Sequence, residues 1–183
     1  MSTITLRPIT LSDTDNIVKW RNASFVKKNL FTQKTLTKNQ HLDYYHKYIE
    51  TKRVFQFIIQ LKSDNRNQDI GTAFLKSIDL ENKKAEFGIF IGEEYALGKG
   101  FGKRATSLVL KYAFENLKLN RIYLSVFADN IAAINAYRNG GFRTEGILIE
   151  DHLRFDSYAD IMVMGITRKM WKTDSFRETL ISE

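Results

Sequence analysis

The sequence contains no cysteine, which removes disulfide frameworks, thiolate metal sites and a cysteine nucleophile from consideration. Its one proline, Pro8, and the lack of any low-complexity stretch or internal repeat leave no visible linker. A single domain over 1–183 is expected, with its core from about 4 to 171. The three histidines, His41, His46 and His152, have no short His-rich zinc spacing, so no metal site is expected. No apolar run approaches the roughly 20 residues that span a bilayer, and Met1 to Leu11 lacks a secretory-signal core. The expectation is a cytoplasmic protein with no membrane partner. Acidic residues are also missing from Asn16 to Leu42, where Lys19, Arg21, Lys27, Lys28, Lys34 and Lys38 all fall.

The rest of the 183 residues has the composition of an ordinary globular protein, 43% hydrophobic and 27% charged. The net charge of +7 is uneven: residues 1–70 carry 12 basic and 6 acidic groups, and residues 71–183 carry 16 and 15. Thr3 to Arg7 reads as a strand, Ser12 as the cap of a helix to about Asn22, and Thr37 with Gln40 as a capping box opening a helix to about Thr51. Val54 to Lys62, Ile70 to Ile78 and Ala85 to Ile91 read as strands of a meander. The spacing of Phe101, Ala105, Leu108, Val109 and Tyr112 predicts an amphipathic helix. Arg121 to Phe127 then reads as a strand, Asn130 to Asn139 as a helix, and Phe142 to Phe155 and Tyr158 to Ile166 as the last two strands. This order predicts an α/β or α+β class with a mixed sheet.

The sharpest local feature is Leu97-Gly98-Lys99-Gly100-Phe101-Gly102-Lys103-Arg104, placed after a strand and opening a helix. Glycines let backbone amides approach a ligand, and a helix N-terminus favours negative charge, so this segment suits a phosphate. A Walker loop is excluded because Arg104 follows Lys103. The dinucleotide fingerprint is excluded because Gly98, Gly100 and Gly102 are spaced by two. The second feature is Asp129 to Phe142, with Asn130 at a helix start, Asn135 and Tyr137 within it, and Gly141-Phe142 entering the next strand.

Taken in order, the two motifs resemble those of the GCN5-related N-acetyltransferase (GNAT) superfamily, and the resemblance runs from about Ile4 to Trp171. Gly100 and Gly102 match that superfamily's acetyl-CoA pyrophosphate loop, with Leu97 standing where Gln or Arg is usual. The resemblance implies a mixed sheet of about seven strands flanked by about four helices, in which Ala85–Ile91 and Arg121–Phe127 splay apart to admit the pantetheine. Implied cofactor contacts are Ile89, Phe90, Ile91, Leu97, Gly98, Lys99, Gly100, Phe101, Gly102, Lys103, Asn130, Asn135, Tyr137 and Arg138. Tyr137 matches the proton donor to sulfur and Glu86 the general base, with Glu150, Asp151 and His152 as alternatives.

The implied activity is direct transfer of acetyl from acetyl-CoA to a small-molecule amine. The first two helices and their connection form the acceptor side in this superfamily, giving Trp20, Arg21, Asn22, Lys27, Lys28, His41 and Tyr45 as acceptor contacts, with His152 added from the long strand after Gly141-Phe142. Because that side is basic, the preferred expectation is a phosphate-bearing acceptor, an amino-sugar nucleotide, with no direct nucleic-acid role. Ribosomal-protein N-termini and polyamines such as spermidine are the alternatives, and a non-catalytic acyl-CoA-binding module is the alternative from another class. A homodimer is left open.

Overall fold

A computed structural model describes residues 3–63 and 66–173. Seven strands form one sheet in the order β1-β2-β3-β4-β5-β7-β6. The strands are β1 (Thr3–Pro8), β2 (Phe55–Ser63), β3 (Arg66–Asp79), β4 (Lys84–Ile91), β5 (Arg121–Phe127), β6 (Arg143–Arg154) and β7 (Ser157–Thr167). All neighbours are antiparallel except β4 and β5. The helices are α1 (Thr14–Asn22), α2 (Ser24–Lys27), α3 (Lys38–Tyr44), α4 (Phe101–Lys111), α5 (Ile131–Asn139) and α6 (Arg168–Thr173). Among the described residues no helix is long and apolar enough to cross a membrane.

The mixed seven-stranded sheet agrees with the expectation, and the described residues hold six helices where about four were expected. The additions, α2 and α6, are short. Ser12 does not cap α1. Instead Thr10 and Asp13 make a capping box around a 3₁₀ turn, Leu11–Asp13, that leads into it. The Thr37–Gln40 box is present, with Gln40 N donating to Thr37 Oγ1 and Thr37 N donating to Gln40 Oε1. Its helix stops at Tyr44 and continues as a π turn, Tyr45–Ile49. β3 begins earlier than expected, because the polar residues Arg66 to Asp69 pair with β2.

The two faces of the sheet are covered differently. Ala85 and Phe87 of β4, Ile122, Leu124 and Val126 of β5, and Met162, Met164 and Ile166 of β7 form the main core with Ala105, Val109 and Leu110 of α4. The opposite face carries a smaller cluster, Ile9, Ile17, Trp20 and Ile58, against which Phe90 packs. Burying each large side chain contributes about 2–3 kcal/mol. Alternation along β4 therefore sends Phe87, Ile89 and Ile91 toward α4, and Glu86 and Phe90 toward α1 and α3.

Candidate active site

The β4–β5 ladder has three rungs: Lys84 with Arg121, Ala85 with Ile122, and Glu86 with Tyr123. Beyond them, Phe87–Ile91 and Leu124–Phe127 run on without pairing to each other, although β4 stays paired to β3 as far as Ile91. The sheet thus opens into a V whose vertex is the Glu86–Tyr123 rung. Along one wall, the main chain of Ile89, Phe90 and Ile91 turns toward the opening with no rung to β5.

Downstream of β4, Gly98 and Gly100 have φ of +71° and +77°, a left-handed conformation that glycine adopts without strain. A Cβ added at Gly98, Gly100 or Gly102 would meet nothing within 4 Å, so this loop is open. The first α4 bond from the loop is Arg104 N to Gly100 O, which leaves the amides of Phe101 and Gly102 without intrahelical acceptors. These amides form an anion cradle at a helix N-terminus, with Leu97 exposed beside it. The unpaired β4 edge and the open cradle together fit an acyl-CoA, whose pantetheine amides and diphosphate need those two kinds of partner.

Asn130 caps α5 by accepting from Ala133 N at 3.2 Å, and its amide donates to Asn29 Oδ1 at 3.2 Å. Both ends of the side chain are thereby engaged within the protein. Asn135 and Arg138 lie on the exposed side of α5. The Tyr137 ring sits edge-on to Phe87 and Phe142, with centroids 6.3 and 6.0 Å away, and its hydroxyl makes no hydrogen bond among the described residues. Burial pushes this phenol up to about 12, so it stays protonated across the physiological range. Glu86, one residue from Phe87, lies on the opposite face and pairs with Lys76 at 3.0 Å. Tyr137 and Glu86 therefore approach the V from opposite faces of the sheet.

On the α1/α3 side, Trp20 is 1% exposed and its indole donates to Glu93 Oε1 at 2.8 Å, so it is a core anchor with no face toward a cleft. Asn22 is latched to Leu36, donating to its carbonyl and accepting from its amide, each at 2.8 Å. Both side chains are thus engaged within the protein and hold the acceptor-side segments in place. Arg21 is largely buried beside Tyr44, and its Nε has no partner among the described residues. Buried His41 donates from Nδ1 to Thr14 Oγ1 at 3.1 Å, because that hydroxyl's proton goes to Leu11 O. Burial also depresses the His41 pKa, so the ring is neutral and its Nε2 is an acceptor. Tyr45 packs on the Trp20 cluster, and Lys27 Nζ reaches Thr35 Oγ1 at 3.3 Å.

Residues from the far end of the chain meet this side. His152 Nε2 donates to Phe31 O at 2.8 Å, and its ring stands edge-on to Phe31 and Phe127. Arg154 lies 4.3 Å over the Phe127 ring and pairs with Asp129. Lys28, Asn29, Asp129, Asn130, Arg154 and Phe155 line an open cleft of about 620 Å³ here. Sequence reasoning assigned no role to Phe31, Asn29 and Arg154, and Asp129 stood there only as the first residue of the second motif. Phe31 carried a signal as a lone aromatic in a polar loop.

This second wall changes the charge argument. From Glu145 to Asp160 the chain carries five acidic residues, Glu145, Glu150, Asp151, Asp156 and Asp160, against one base, Arg154. The basic α1–α3 segment faces an acidic hairpin, so the sign of one segment does not decide the acceptor.

Comparison with known proteins gives the same reading as the geometry. The chain is 29% identical to the spermidine N(1)-acetyltransferase of Vibrio cholerae serotype O1 over 170 residues, 93% of this chain and 96% of that protein. The crystal structure of a Vibrio cholerae spermidine N-acetyltransferase in complex with CoA and spermine superposes with a TM-score of 0.85 at 28% identity, covering 93% of this chain and 98% of that one. The Campylobacter jejuni acetyltransferase PseH is 29% identical over 135 residues, 69% of this chain and 74% of that protein. The model of the acetyltransferase (GNAT) domain matches residues 3–143. With an acyl-CoA-shaped opening between its one parallel strand pair and that match over most of its length, the chain belongs to the GNAT family of acetyl-CoA-dependent N-acetyltransferases.

Proposed function

We propose that the acceptor is a primary amine of a linear polyamine of the spermidine class. The observation that carries this reading is likeness over 93% of the chain to proteins that acetylate spermidine, one of them crystallised with spermine. The acidic stretch Glu145–Asp160 supports it by supplying carboxylates beside the acceptor side.

In this reading the main chain of Ile89, Phe90 and Ile91 holds the pantetheine as an added strand, and the Leu97–Lys103 loop with the α4 N-terminus holds the diphosphate. Lys99, Lys103 and Arg138 add positive charge, and Asn135 offers a side-chain amide from the exposed side of α5. Bound acetyl-CoA would supply the acyl group as a thioester: as the amine nitrogen bonds the carbonyl carbon, the C–S bond breaks and coenzyme A departs as a thiolate. Tyr137 presents its hydroxyl proton to the sulfur position. Glu86, beside Lys76, accepts the acceptor ammonium's proton through water across the vertex of the V. His152 is the alternative acceptor of that proton: its Nε2 is committed to Phe31 O, which leaves Nδ1 as the ring nitrogen for the task.

One observation favours the amino-sugar nucleotide as a second reading. Arg21 is largely buried with no carboxylate partner among the described residues, and Lys28 lines the nearby cleft, an arrangement suited to an acceptor phosphate. The deciding experiment is acetyl-CoA-dependent thiol release with spermidine, spermine, ribosomal-protein N-terminal peptides and amino-sugar nucleotides, with Arg21→Gln as the paired variant. A polyamine acceptor gives the highest kcat/KM with spermidine or spermine, and Arg21→Gln leaves it within about threefold. An amino-sugar nucleotide turning over faster, with its KM raised about tenfold or more in Arg21→Gln, overturns the polyamine reading.

A further inference from the structure

On the face of the sheet that carries Glu86, the V is closed at both ends. At the vertex Glu86 stands beside Tyr123 and pairs with Lys76. At the far end Phe90 packs on the Trp20 cluster, and buried Phe127 lies against Phe31 and His152. Between these ends, strand alternation puts Gly88 of β4 and Ser125 of β5 on the same face, the first such residues past the last rung. They carry the smallest side chains on their two walls. This level is therefore the gap through which an amine reaches the opening from the Glu86 side.

Gly88 is covered from the neighbouring strand. Its ladder partner is Phe74 of β3. A Cβ added at Gly88 would collide with Cζ, Cε2 and Cε1 of the Phe74 ring, so the far edge of that ring lies over the glycine, reaching from β3 across β4 toward the V. The backbone at Gly88 is not left-handed, unlike that at Gly98 and Gly100, so the ring above it, and not the conformation of the chain, requires glycine here. Glycine inside a strand weakens it, and often marks a place where another group must approach closely. Phe74 itself is half-buried and joins neither core cluster, so it gains less from burial than a core aromatic does. Two locally unfavourable residues thus combine to set one flat apolar surface at the gap, two residues along β4 from Glu86.

We propose that Phe74 is a specificity-determining residue: its ring narrows the gap between Gly88 and Ser125 and selects acceptors whose primary amine is carried on an unbranched methylene. The inference rests on the reading of the acceptor as a polyamine that enters from the Glu86 side. A terminal aminoalkyl chain presents a narrow stem that lies against the ring while its ammonium passes toward Glu86. A substituent on the carbon that bears the nitrogen meets the ring edge instead, and holds the nitrogen back from the thioester carbonyl.

The test is acetyl-CoA-dependent thiol release with spermidine and with a spermidine analogue carrying a methyl group on each carbon that bears a primary amine. The wild type is expected to favour spermidine by about 30-fold or more in kcat/KM. Phe74→Ala is expected to cut that ratio at least about tenfold, mostly by raising kcat/KM for the branched analogue, with KM for acetyl-CoA held within about twofold. Phe74→Leu is expected to fall between the two. Gly88→Ala is expected to lower kcat/KM for spermidine about tenfold by driving the ring into the gap, and Phe74→Ala in the same chain to recover most of that loss, with Tm showing that each variant folds. A ratio unmoved by both Phe74 variants, while spermidine is turned over, overturns selection by the ring and leaves the polyamine reading standing. A loss in Gly88→Ala that Phe74→Ala fails to recover also overturns it. Wild-type preference for an amine on a branched carbon, as in an amino-sugar nucleotide, overturns the polyamine reading and the selection together.

Discussion

Replacing Tyr137 with phenylalanine isolates one hydroxyl. The ring is held by Phe87 and Phe142, and the hydroxyl has no hydrogen-bond partner among the described residues, so its removal breaks no internal bond. Stability is expected to change by less than about 1 kcal/mol. Burial places this phenol at about 12, while an ordinary alkyl thiol lies near ~8.5. Complete transfer of the proton to a departing thiolate is then uphill. Tyr137 is accordingly expected to stabilise sulfur by donating a hydrogen bond rather than by giving up its proton. A preorganised donor aimed at developing charge is typically worth about 10²–10³ in kcat, with little change in KM for acetyl-CoA. Since the group titrates far above neutrality, it should impose no alkaline loss of activity below about pH 11. Thiol release followed from pH 6 to 10.5 in both proteins measures this. The reasoning is refuted if Tyr137→Phe keeps kcat within about threefold, or if the wild type loses activity with an apparent pKa near ~9–10 and the variant does not.

Three further outcomes are expected. Glu86→Gln should lower kcat by about 10²-fold with little change in KM for acetyl-CoA, whereas an effect found only in His152→Gln reassigns the base to the imidazole. Asp13→Asn should destabilise the fold by about 3 kcal/mol in denaturant titrations at pH 7, because the buried carboxylate accepts from Arg7 at 2.6 and 2.8 Å and from Thr10 N at 2.8 Å. Burial alone would raise the Asp13 carboxyl, but Arg7 and Thr10 outweigh it and hold it below its ordinary value. Its stabilising contribution is therefore complete above about pH 4 and is lost as pH falls further, and equal acid sensitivity in wild type and variant would contradict this. Gly92→Ala should cost about 2–3 kcal/mol, since the new methyl would collide with the Trp20 ring, which is buried on every side. A Tm within about 1 °C of wild type would show that α1 can shift instead.

Much of the fold was legible because its signals are local. Gly100 with its positive φ, the Thr37–Gln40 box and the Asn130 cap each act within one turn of chain, so spacing alone exposes them. α2 escaped notice because four residues are too few to show a helical period, and the start of β3 because Arg66 to Asp69 is polar on a strand paired at one exposed end. The site was half legible. The glycine loop and Tyr137 announce themselves, but nothing local shows that Glu86 and Tyr137 lie on opposite faces, since that follows from strand parity and the rung with Tyr123. Nor does the acid-free segment from Asn16 to Leu42 reveal the charge of the wall it faces, because Phe31 meets His152 across 121 positions of sequence.

The short β4–β5 ladder has a consequence for the protein without its cofactor. The three rungs are the sheet's main-chain connection between the half built from β1 to β4 and the half built from β5 to β7. Past Glu86, amides facing the V have no strand to protect them, so hydrogen exchange should begin along this seam and spread outward. In the proposed reading, an acyl-CoA lying along β4 would act as a missing strand and tie the halves together. Its binding should therefore slow exchange along the seam and raise Tm with cofactor concentration, which makes the cofactor part of the fold's cohesion as well as its chemistry.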